Sequence, residues 1–313
     1  MTRRVLAALG LAVLFAAALV LGGFAADPLR AVRAGSEALF RAAGAHEERF
    51  AAPDGTRLHA FVAGPLSAER PVVLVHGLGA DAGYWAQTAR FLTGRRRTAI
   101  AFDAPGSGAS ATPAAPEGLA LPARVAAVEA LATALGLSSF DLVGHSLGGL
   151  TAALYALERP RRVRRLVLVD SAGFSRFEAE GGARIRQIGA PKSRADARRL
   201  VDLLFFRPPL PATGAVADAL ARNYLVPNVQ TTIRLAGKTD LLLGREGELP
   251  AGTALIWGAE EILFPIADAR AAAARIKGGR LLVVTGVGHD GPLEAPAAFH
   301  EALEKALGPG PRS

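Results

Sequence analysis

Phe140-Asp141-Leu142-Val143-Gly144-His145-Ser146-Leu147-Gly148-Gly149 decides how this chain reads. A short apolar run enters a Gly-x-Ser-x-Gly turn, and a helix-forming segment leaves it. A nucleophile elbow needs that order: the strand delivers the serine, the sharp turn exposes its hydroxyl, and small residues let strand and helix approach. The dipole of the following helix favours negative charge at the turn. Ser146 is therefore the candidate nucleophile. The pentapeptide alone is a weak motif, so its surroundings carry the assignment.

Upstream, residues 71–75 form a continuous apolar run of the kind seen in strands buried on both faces. His76-Gly77-Leu78-Gly79 follows it directly. A second run, 98–102, leads into Asp103-Ala104-Pro105-Gly106-Ser107-Gly108. Asp54-Gly55 signals a hairpin between strands at 48–52 and 57–62. Helices are expected over 122–135 and 148–157, with a strand at 166–169. Further strands are expected at 253–257 and 280–284, and a last helix at 296–307. Strands alternating with helices argue for an α/β fold on a parallel sheet with right-handed crossovers.

Those glycine motifs, the elbow, Trp257-Gly258-Ala259-Glu260-Glu261-Ile262-Leu263-Phe264-Pro265 and Gly288-His289 carry a resemblance. Over residues 50–307 the chain resembles the α/β-hydrolase fold superfamily, in its serine esterase and lipase branch, monoacylglycerol lipase-like proteins included. The resemblance implies a mostly parallel eight-stranded sheet flanked by helices, with a helical cap inserted after the sixth strand. Residues 175–248 fit the cap, with helices expected over 194–206, 215–225 and 229–243. The core then falls in two parts, 48–174 and 249–308, followed by a tail at 309–313.

Acyl transfer needs an activated nucleophile, a base, an orienting acid and an oxyanion hole. In this fold the chain order is serine, acid, histidine. His289 and His300 follow Ser146; His300 falls in the last helix and is expected at the surface, which leaves His289 as the base. The family pattern places the acid at Glu261, and glutamate can serve there. Glu260, adjacent, and Asp170, after the sixth strand, are the alternatives. Backbone amides of Leu78 and Leu147 are the expected oxyanion donors. The segment from Asp103 to Gly108 reads as a structural turn. Trp85 reads either as pocket lining or as core.

Met1-Thr2-Arg3-Arg4 precedes an uncharged apolar stretch, so residues 1–26 read as a signal anchor or a cleaved signal peptide. Arg3 and Arg4 would stay cytoplasmic. The catalytic part would be exported, membrane-anchored in one case and secreted or periplasmic in the other. Residues 27–47 read as a juxtamembrane amphipathic helix, lying on the membrane surface or packing on the domain.

The chain has 313 residues, a net charge of +8 and no cysteine, so disulfides and cysteine metal sites are excluded. Basic clusters at Arg95-Arg96-Arg97 and Arg161 to Arg165 are expected on surface connections, and no nucleic-acid-binding motif accompanies them. No metal or organic cofactor is implied. The expected activity is hydrolysis of carboxylic esters, lipid-like ones included, through an acyl-enzyme on Ser146. Carbon–carbon bond hydrolysis, cofactor-free haloperoxidase chemistry and acyl transfer use the same residues and stay open, as does a non-catalytic, membrane-tethered binding protein.

Overall fold

The computed structural model describes residues 28–66, 70–175, 192–207, 214–235 and 242–308. The chain enters through helix α1 (Pro28–Ala42), then the hairpin β1 (Ala45–Ala51) and β2 (Arg57–Ala63). The alternating part runs β3 (Val72–Val75), α2 (Ala86–Gly94), β4 (Ala99–Asp103), α3 (Leu121–Ala134), β5 (Phe140–His145), α4 (Leu147–Glu158) and β6 (Val163–Val169). Cap helices α5 (Arg194–Leu204), α6 (Gly214–Tyr224) and α7 (Pro227–Leu235) follow. The core resumes with β7 (Ala254–Gly258), α8 (Ile266–Arg275), β8 (Arg280–Val284), α9 (Gly291–Glu294) and α10 (Pro296–Leu307).

The strands form one eight-stranded sheet in the order β1-β2-β4-β3-β5-β6-β7-β8. β1 and β2 pair antiparallel, as do β2 and β4, and every other pair is parallel. This is the mostly parallel sheet the sequence predicts. Central strand β3 is apolar and buried at every position because both faces of the sheet are covered. Val72 and Leu74 join a core layer with Trp85 and Phe299 on one face; Val73 and Val75 join Val128, Tyr155 and Trp257 on the other. Trp85 is thus core, the second of its two readings. Each parallel crossover leaves from the carboxyl edge of its strand, and Ser146, Asp170 and the loops after β7 and β8 gather at that edge.

Several expectations are corrected. The domain begins before residue 48, because β1 starts at Ala45 and pairs with Ala63. Helix α1 packs on the domain through Phe40, whose ring stacks on Phe61 at 4.2 Å, and through an Arg33–Asp81 ion pair of 3.2 Å. Of the helix expected over 229–243, Pro227–Leu235 is described and residues 236–241 lie outside the described residues; Leu242 is buried outside any helix. The anchor or signal segment, residues 1–26, and the tail, 309–313, lie outside the described residues. Among the described residues no helix is long and apolar enough to cross a membrane.

The basic clusters are not purely surface features. Arg97 is 3% exposed and donates to Asp141 at 3.1 Å and to the carbonyl of Gly308 at 2.6 Å. Arg164 approaches the same carboxylate at 3.4 Å. Burial raises the pKa of Asp141 in spite of these arginines. Such a pair adds little net stability, but deleting one partner strands the other charge. Asp141→Ala is expected to lower the unfolding free energy by about 3 kcal/mol, read from denaturant curves.

Candidate active site

The turn after β5 forces Ser146 into a conformation that side chains avoid, φ 55° and ψ −121°. It is held there by backbone bonds. The serine N–H donates to Val169 O at 2.9 Å, and its carbonyl accepts from Gly149, Leu150 and Ala172. The glycines on either side are required by close approach. A Cβ on Gly144 would lie 2.2 Å from Gly148 O, and one on Gly148 would lie 2.3 Å from Val75 O. The strand, the helix and the loop after β3 therefore meet without side chains between them. Ser146 also caps α4, whose first amide belongs to Leu147.

His289 comes up beside this turn from the loop after β8. His145, the residue before Ser146, bonds the carbonyl of His289 through Nε2 at 2.9 Å. A carbonyl only accepts, so that nitrogen of His145 carries the proton. Burial, with His289 nearby, holds the His145 pKa well below the ordinary value, so it is neutral. Tyr84 stacks on its other face at 4.8 Å. The quoted elbow contained His145, yet its part in placing His289 was not legible there.

Of the three candidate acids, the structure brings Glu261 to His289. Its Oε2 accepts from His289 Nδ1, and its Oε1 accepts from the amides of Leu263 and Phe264. Glu260 turns away to the Val287 amide, at 2.9 Å. Asp170 accepts from the Gly258 amide at 2.8 Å. Burial and the neighbouring Glu261 raise the Asp170 pKa well above the usual carboxylate range. Burial would lower the pKa of His289, but Glu261, Asp290 and Asp170 outweigh it and lift it to about 9. Asp290, buried beside the imidazole, is raised to about 6, chiefly by burial. His300 is half-buried rather than exposed: it stacks on Phe91 at 4.4 Å and reaches Thr88.

Leu147 follows the serine in the chain, and the loop that carries Leu78 lies against it through Gly77, where a Cβ would be 3.1 Å from Ser146 Cβ. Among the described residues neither amide has an acceptor. The loop bearing Leu78 is held from beneath by His76, whose Nδ1 donates to Gly77 O and whose Nε2 accepts from Ala104. From above, the cap holds the same loop. Asn223 donates to Gly79 O, and Tyr224 donates to Leu78 O at 3.3 Å. Asn228 donates to Gly106 O and to Thr112. The Asp103 turn is structural, as expected: its carboxylate accepts from Ala82, Ala109 and His59. The cap also reaches the histidine loop, since Glu294 bridges the Gly288, Phe206 and Arg207 amides. Apart from Glu294 with Gly288, these bonds made by the cap join residues more than 80 positions apart, so no local pattern announces them.

A hydroxyl on a strained turn, a neutral-capable imidazole oriented by a buried carboxylate, and two open amides together can activate a nucleophile and receive an anion.

Comparison with known proteins agrees with this geometry. The sequence profile of the alpha/beta hydrolase fold family matches residues 70–210. The chain is 28% identical over 268 residues to the dihydrolipoyllysine-residue acetyltransferase component of the acetoin cleaving system of Cupriavidus necator, covering 83% of this chain and 69% of that one. It is 38% identical over 126 residues to the human (lyso)-N-acylphosphatidylethanolamine lipase, covering 39% of this chain and only 36% of that protein. Among solved structures, a bacterial membrane phospholipase A superposes with a TM-score of 0.76 at 25% identity, over 98% of both chains.

Proposed function

For this member of the α/β-hydrolase fold superfamily, we propose a serine hydrolase that cleaves carboxylic esters of lipid-like acyl chains through an acyl-enzyme on Ser146. The observation that carries the proposal is the convergence of the strained Ser146, the His289–Glu261 pair and two unengaged amides at one turn. Glu261 occupies Nδ1 of His289, which leaves Nε2 to take the serine proton as the hydroxyl attacks the ester carbonyl. The oxyanion is received by the Leu78 and Leu147 amides. His289 then protonates the leaving alcohol, and afterwards activates the water that releases the acid.

We place the acyl chain against the apolar seam between the cap helices and the core, where Leu203, Phe205 and Leu225 are partly buried. Two relatives with lipid-hydrolase names, the human lipase and the membrane phospholipase A, support lipid-like substrates. The apolar residues 1–26 fit this reading as a tether or export signal.

The test is labelling of Ser146 by a fluorophosphonate, together with p-nitrophenyl esters of increasing chain length. Labelling, with octanoate preferred over acetate, supports the proposal. Absence of labelling overturns the catalytic reading, and preference for acetate overturns the lipid reading. The cap grip adds a further expectation. Asn223→Ala frees the Gly79 carbonyl and loosens the oxyanion loop, so kcat falls about tenfold while KM changes less. Steady-state kinetics on the preferred ester checks it.

A further inference from the structure

Arg124 lies on the buried stripe of α3. Leu121, Val125, Val128 and Leu131 around it are 4% exposed or less, and Arg124 itself is 3% exposed. Its Nη2 donates to the carbonyl of His76 at 3.2 Å, and its Nε has no partner. Among the described residues no carboxylate pairs with it. Burial lowers its pKa to about 10, so it remains charged at neutral pH. A buried cation without a counter-ion is destabilising, and an apolar residue of similar size at such a site is usually tolerated or better.

The position of this charge gives it a use. The His76 carbonyl lies 2.4 Å from where a Cβ on Gly148 would sit. A Cβ on the next residue, Gly77, would lie 3.1 Å from Ser146 Cβ. Arg124 therefore stands one peptide behind the nucleophile, on the protein side of the loop that carries the Leu78 amide. The peptide it grips is polarised by the bond, and the apolar surroundings leave its field poorly screened.

We propose that Arg124 is a positioning residue of the oxyanion hole, holding the His76–Gly79 loop and supporting with its charge the anion that forms on the substrate oxygen. The inference rests on the serine hydrolase reading given above. It predicts that the residue is kept at the expense of stability and matters to the tetrahedral state more than to bound substrate.

The test compares the wild-type chain with Arg124→Lys, Arg124→Gln and Arg124→Met. Each is measured for kcat and KM on one p-nitrophenyl ester, for inhibition by an alkylboronic acid that forms a tetrahedral anion on serine, and for Tm. Arg124→Met and Arg124→Gln are expected to lose about ten- to hundredfold in kcat and in boronate affinity, with KM within about twofold. Tm stays level or rises in Arg124→Met, and Arg124→Lys recovers most of the activity. Wild-type kcat and boronate affinity in Arg124→Met would overturn the inference. So would full recovery by Arg124→Gln, which keeps a donor without the charge, or a fall in Tm that accounts for the lost activity. A wild-type chain that neither turns over esters nor takes the fluorophosphonate label overturns the hydrolase reading itself, and this inference with it.

Discussion

On the proposed mechanism, Ser146→Ala is expected to lower kcat for ester hydrolysis by about 10⁴-fold or more and to abolish fluorophosphonate labelling. The size follows from the role: without the hydroxyl there is no acyl-enzyme, and only binding and the oxyanion donors remain to assist a direct attack by water. The fold should survive, because the four backbone bonds that hold the turn involve no side-chain atom of the serine. A comparison with Ser146→Gly separates strain from chemistry. Alanine keeps the penalty of φ 55°, whereas glycine adopts it freely, so the glycine variant is expected to be more stable than the alanine one by about 1 kcal/mol. Both are inactive. Retention of full activity by either variant in purified protein would refute the proposed mechanism.

Glu261→Gln is the second large effect. The amide keeps the size of the side chain but removes the charge and presents a donor towards Nδ1, which favours the wrong tautomer. An about 10³- to 10⁴-fold loss in kcat is expected, by analogy with the amide substitution of the orienting acid in serine proteases. The pH profile gives an independent reading. With the His289 pKa lifted to about 9 by the carboxylates around it, kcat/KM is expected to climb through neutral pH and level off above that value. Burial lowers the imidazole pKa and Glu261 is the main influence raising it, so the variant's limb moves to lower pH. Stability follows with a fixed sign. A pKa raised above the unfolded value of 6.5 stabilises the fold fully below pH 6.5, and that contribution is lost as pH rises to about 9. The wild-type chain should therefore lose its advantage over Glu261→Gln across that window in denaturant titrations. An unchanged limb in the variant would instead make Asp290 or Asp170, the other carboxylates around the imidazole, the source of the shift.

Much of the architecture was legible because it is local. The strand at residues 280–284 and the helix at 296–307 fall where the sequence places them, since a short apolar run and a proline start mark them. The elbow was legible because close packing allows only glycine at positions 144 and 148. Other features were less so. Arg97 read as a member of a surface arginine run, yet it turns inward to Asp141, which lies 44 residues away. Arg124 left a trace that could have been read: it falls three residues after Leu121 and four before Val128, on the apolar side of its helix. A charge at that spacing signals either a buried partner or a task.

The sequence by itself determined the order of the elements, the turn that strains Ser146, and the histidine that follows the last strand. Each depends on neighbours a few positions apart, where backbone sterics and side-chain periodicity act directly. The tertiary structure alone decided which of Glu261, Glu260 and Asp170 meets His289, how His145 docks that histidine, and how Asn223, Tyr224 and Arg124 grip the loop after β3. A hydrogen bond between distant segments is set by the packing of everything between them, and adjacent carboxylates such as Glu260 and Glu261 differ only in which way the folded backbone turns them.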